Sequence, residues 1–120
     1  MNQISIYHNP RCSKSRRALE LLEEAGHNVR VIEYLNTPLN VEAVLDLIRM
    51  AGGDPMELVR VGEDEFADSG IPGNEQDVDV VAEAISRYPR LLQRPVVVCG
   101  MRAVVARPPE SLSELINPAD

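Results

Sequence analysis

The 120-residue chain reads as α/β: a mixed central sheet flanked by helices, with a mostly helical insertion over about residues 40–88. Three observations predict this. A strand, helix and strand occupy the first 34 residues, helical periodicity fills the middle, and a β-branched hairpin follows near residue 100. With 44% apolar content, this length suits one domain spanning 1–120.

Ile4 and Ile6 alternate with Ser5 and Tyr7, which predicts a short strand running into the His8-Asn9-Pro10 turn. Ala18, Leu21, Leu22 and Ala25 then mark one buried helix face, and Gly26 is a natural stop. Val29, Val31, Ile32 and Tyr34 suggest a second strand, ended by Asn36-Thr37-Pro38. Such a βαβ unit normally makes parallel strands through a right-handed crossover.

Val41, Val44, Leu45 and Ile48 repeat the helical spacing. From Gly52 to Asn74 the chain is rich in Gly, Pro and acid, which predicts loops and short helical turns. Val78, Val81, Ala82 and Ile85 restore a helix up to Tyr88-Pro89. Val96 to Cys99, a Gly100-Met101 turn and Ala103 to Ala106 read as an antiparallel hairpin. Ser111-Leu112-Ser113-Glu114 has capping-box spacing, so a last helix is expected, with Asn117 to Asp120 frayed.

Charge singles out one place. The chain carries -7 overall, yet residues 1–19 hold Arg11, Lys14, Arg16 and Arg17 and no acid, giving +4 there and -11 in the remainder. Cys12 lies inside this cluster, at the junction of the first strand and helix. Cationic neighbours and a helix N-terminus lower a thiol's pKa, and the thiolate is the nucleophile, so Cys12 is the candidate reactive group. The competing reading is a small apolar filler, which the flanking charges disfavour.

The bulk properties exclude several classes. Two cysteines, Cys12 and Cys99, are too few for a secreted disulfide scaffold, so a reducing cytoplasm is expected. No secretion signal is read at the start, and no apolar run is long enough for a membrane span. The acidic balance argues against nucleic-acid binding, whereas the local basic cluster suits a small anion. His8, Cys12, His27 and Cys99 lack ligand-like spacing, so no metal or bound cofactor is expected.

His8-Asn9-Pro10-x-Cys12-x-x-Ser15-Arg16, Leu58-Val59-Arg60, Arg94-Pro95-Val96-Val97-Val98 and Arg107-Pro108 occur in order along nearly the whole chain. With this spacing the sequence resembles the arsenate reductase family that couples to glutathione and glutaredoxin. The resemblance implies a thioredoxin-like fold, with Cys12 as nucleophile and Arg60, Arg94 and Arg107 binding the oxyanion. It also implies that His8 and Ser15 favour the thiolate, through charge and hydrogen bonding respectively, and that Arg16 joins the anion-binding loop. Planar guanidinium forks suit a tetrahedral anion such as arsenate. The expected cosubstrate is glutathione and the expected partner glutaredoxin, with the protein a monomer.

Two different redox designs fit poorly. A phosphatase-like reductase needs Cys-x5-Arg, but Ala18 stands six residues after Cys12; a dithiol oxidoreductase needs a second cysteine at position 15, which is Ser. The fold would also suit a non-enzymatic Spx-like regulator of RNA polymerase, or a related thiol-dependent oxidoreductase with another substrate. The arginine set favours the enzyme. Ser13-Lys14 departs from the smaller uncharged residues of some arsenate reductases and suggests a sibling branch. Cys99, ending a β-branched run, is expected to be inert. Arg94-Pro95 stands where thioredoxin-like folds place a cis proline, an isomer that sequence does not reveal.

Overall fold

A computed structural model describes residues 3–106 and Leu112. The chain forms two compact units, one of Met1–Tyr34 with Arg94–Asp120 and the other of Leu35–Gln93.

The first unit holds the sheet, ordered β2-β1-β3-β4. Strand β1 (Ile4–Tyr7) pairs in parallel with β2 (Val29–Ile32), Ile4 facing Val29, as the βαβ reading requires. It pairs antiparallel with β3 (Val96–Cys99), Ile4 facing Cys99 and Tyr7 facing Val96. Gly100, at φ +62°, turns β3 into β4 (Arg102–Val105), a left-handed conformation that glycine adopts without a Cβ penalty. The sheet is therefore mixed, with thioredoxin-like strand and helix order.

Alternation along β1 drives Ile4 and Ile6 to one face. There they form a core with Ala18 and Leu22 of helix α1 (Ser13–Glu24), Val97, Ala106 and Leu112. This apolar face fixes the register, because a one-residue slip would turn Ile4 and Ile6 to the opposite side. Helix α1 buries Ser15, Ala18 and Leu22, with Leu19 at the margin; the expected Ala25 is exposed beyond the helix end. Strand β2 stops at Ile32. Val31 is 43% exposed on this edge strand, and Tyr34 is buried in the following turn rather than in a strand. The predicted last helix lies outside the described residues except for buried Leu112.

In the second unit, α2 (Val41–Ala51) and α4 (Val78–Arg87) pack together through the stripes Val44, Leu47, Ile48 and Val81, Ala82, Ala84, Ile85. Leu45 is only half-buried and Val78 is exposed, so the buried stripes are rotated slightly from the expected ones. Asn40 caps α2 by accepting from the Ala43 N–H at 2.8 Å, and Asp77 caps α4 by accepting from Asp79 at 2.9 Å. Between them lie a 3-10 turn at Pro55–Leu58 and the short α3 (Glu65–Ser69), as the Gly- and Pro-rich text predicts. Arg60 N–H donates to Leu91 at 2.7 Å and Gln93 N–H to Leu58 at 2.8 Å, which fixes the backbone around Arg60. Among the described residues no helix is long and apolar enough to cross a membrane.

Candidate active site

The site begins where β1 ends. His8 N–H donates to Ile32 O at 2.8 Å, extending the contact with β2 by one bond, and His8 is only 6% exposed. The chain then turns through Asn9 and Pro10, and Cys12 takes the N-cap position of α1 in an extended conformation.

Asn9 organises that turn with three bonds, each 3.0 Å long. Its side-chain Oδ1 accepts from Arg11 N–H, its carbonyl accepts from Cys12 N–H, and its own N–H donates to Ser15 Oγ. The Ser15 hydroxyl also lies 2.6 Å from His8 Nδ1, and Ser15 is fully buried. Residues 8–15 are thus closed on themselves by hydrogen bonds that leave the Cys12 side chain at the head of the helix. The sequence marks the Asn9-Pro10 turn but leaves Asn9 without a role. An Asn immediately before Pro, a residue type whose side chain bonds the backbone two positions on, is the signal that could have found it.

Burial of Cys12 opposes ionisation, yet the balance falls the other way and its pKa lies below the ordinary thiol value. The groups responsible are the Ser15 backbone N–H, the Arg94 side chain and the Lys14 backbone N–H, with the charge of Arg94 adding to its hydrogen bond. The Cys12 side chain makes no cap bond of ordinary geometry to α1, so these N–H groups act on the ionised sulfur as a partial positive end of the helix. Lys14 contributes through its backbone. Of the other loop cations, Arg16 Nη1 donates to Pro10 O at 2.8 Å, and Arg17 pairs with Glu20.

Burial lowers the His8 pKa, Glu33 opposes this and Arg16 reinforces it. The lowered pKa works against the charged ring through which the resemblance implied that His8 would support the thiolate; His8 is also a hydrogen-bond partner of Ser15.

The structure thus brings together His8, Cys12, Ser15, Arg16 and Arg94 in the first unit. Arg94 precedes Pro95 through a cis peptide bond, the isomer that sequence left open. Arg60 belongs to the second unit, where its Nη1 donates to Glu63 at 2.7 Å. Arg107 lies outside the described residues. Cys99 is a free thiol packed at the margin of the sheet core. No cluster of three metal-ligating side chains occurs among the described residues.

The ArsC family matches residues 7–115. An arsenate reductase of Neisseria meningitidis serogroup A is 38% identical over 97% of this chain and 100% of its own length. YfgD of Escherichia coli strain K12, described as uncharacterized, is 37% identical over 96% of this chain and 98% of its own. Among solved structures, the arsenate reductase from Vibrio cholerae superposes with a TM-score of 0.89 at 35% identity, covering 96% of this chain and 98% of that one.

Proposed function

This chain belongs to the ArsC family, and from that premise we propose that it is an arsenate reductase whose nucleophile is Cys12. The observation that carries the reading is the placement of Cys12 at the N-cap of α1, in the hydrogen-bonded loop of residues 8–15, where the backbone N–H groups of the first turn and the Arg94 side chain favour the ionised sulfur. A thiolate beside a fixed cation suits attack on a tetrahedral oxyanion, since the cation offsets the repulsion between two anions.

In the proposed cycle the Cys12 sulfur bonds to arsenic(V) and one arsenate oxygen leaves as water, with no change in oxidation state. Glutathione thiolate next attacks the Cys12 sulfur. The S–As bond breaks with its electron pair going to arsenic, which departs as arsenite(III), and Cys12 is left in a mixed disulfide with glutathione. A glutaredoxin thiolate takes over the glutathione and regenerates Cys12. Two thiols become one disulfide, supplying the two electrons. Position 15 is Ser, so no neighbouring thiol is available in this loop and an external one is required.

Arg94 holds the anion beside Cys12 in this reading, with Arg16, Arg60 and Arg107 as further oxyanion ligands. Arg60 would exchange its Glu63 partner for substrate, a replacement of one anion by another. The test is NADPH oxidation coupled through glutathione reductase, glutaredoxin and glutathione to added arsenate. Turnover well above that of Cys12→Ser supports the reading, and equal rates defeat it.

A further inference from the structure

Ser15 is fully buried and carries one hydroxyl proton. Among the described residues its oxygen has two partners: the Asn9 N–H, which can only donate, and His8 Nδ1 at 2.6 Å. Buried hydroxyl protons are nearly always given to an acceptor, and neither a carbonyl of α1 nor the Cys12 sulfur receives this one. The remaining acceptor is the imidazole.

We infer that Ser15 is a positioning residue whose hydroxyl donates to His8 Nδ1, holding His8 as the neutral ring with its own proton on Nε2. The opposite arrangement, with Nδ1 protonated, would direct two N–H groups at one oxygen and leave the Ser15 proton buried without an acceptor. Imidazolium formation meets the same obstacle, to which the Arg16 charge adds and which Glu33 opposes. The direction of the His8 shift agrees with this arrangement.

The bond also reaches Cys12. By accepting from Asn9 N–H, Ser15 Oγ fixes the residue whose carbonyl holds Cys12 N–H, while Ser15's own N–H is one of the groups favouring the ionised sulfur. Ser15 therefore acts on the thiolate through its backbone and through Asn9, leaving its hydroxyl proton on His8. The use of this device in turnover rests on the arsenate-reductase reading; its existence does not.

The tautomer is read directly by ring 15N NMR near neutral pH on the full chain, with His27 identified by its loss in His27→Gln. We expect His8 to show a pyrrole-type Nε2 and a pyridine-type Nδ1. Ser15→Ala should mix the tautomers and slow Cys12 alkylation by iodoacetamide about threefold to tenfold, measured in Cys99→Ala. Ser15→Thr, which keeps the oxygen, should restore both. A protonated Nδ1 in the wild-type protein, or an unchanged His8 pattern in a folded Ser15→Ala protein, overturns the inference. The wild-type spectrum decides the tautomer even if Ser15→Ala fails to fold. The expected tautomer without arsenate turnover would defeat the activity and leave the positioning role standing.

Discussion

The Cys12 thiol has a lowered pKa because specific groups outweigh its burial. The Ser15 and Lys14 N–H groups are supplied by backbone, so Arg94 is the contributor that a side-chain replacement removes outright. Arg94→Ala should therefore shift the pH profile of Cys12 alkylation to higher pH and slow the reaction near neutrality, about threefold to tenfold. The sign follows from a lowered thiol pKa: the wild-type rate rises with pH and levels off below the range of an ordinary cysteine. An unchanged midpoint in Arg94→Ala would mean that Arg94 does not tune the thiol. At this scale the sequence reveals residue identities better than mechanisms. Four loop cations around Cys12 are conspicuous, yet the lowering comes from backbone N–H groups and from an arginine 82 positions away, through a contact that only folding creates. His8 stands out in the loop sequence, but the burial that lowers its pKa is encoded by no local pattern.

The elements hold the loop through ordinary packing. Leu22, fully buried on α1 and in the cluster with Ile4, Ile6 and Val97, anchors the helix whose first turn faces Cys12. Leu22→Ala should lower unfolding free energy by about 2–5 kcal/mol in urea titration. Asn40→Ala removes the α2 cap and should cost about 1 kcal/mol. Cys99 faces Ile4, at the opposite end of β1 from the His8 turn, roughly 10 Å along the strand. Cys99→Ala should accordingly retain nearly full reductase activity, and a fall to the Cys12→Ser level would give Cys99 a resolving role. Strand and helix periodicity make most of these elements visible in advance. Edge effects are less visible: Val31 looks like a core residue by alternation, but it is 43% exposed on β2, which has one strand neighbour among the described residues.

Across the whole molecule, charge is divided by unit. The sheet unit carries eight Lys and Arg against seven acids, while Leu35–Gln93 carries four against twelve. The cationic loop around Cys12 thus stands in a chain of net charge -7, and which of the two governs the approach of an anion to Cys12 is measurable. If the local cations dominate, added salt should slow alkylation by anionic iodoacetate relative to neutral iodoacetamide; if the net charge of -7 dominates, salt should speed it. Slowing is the expected outcome. The division into units is partly legible, since the helical insertion anticipates most of Leu35–Gln93, but its limits at residues 35 and 93 follow from contacts rather than from composition. Cys12 as the single nucleophile of arsenate reduction is tested most directly by mass spectrometry of the protein incubated anaerobically with reduced glutathione, with and without arsenate. One glutathione on Cys12 is expected, formed only with arsenate, accompanied by arsenite and absent from Cys12→Ser. Arsenite production by Cys12→Ser, or an arsenate-dependent adduct on Cys99 instead, would contradict it.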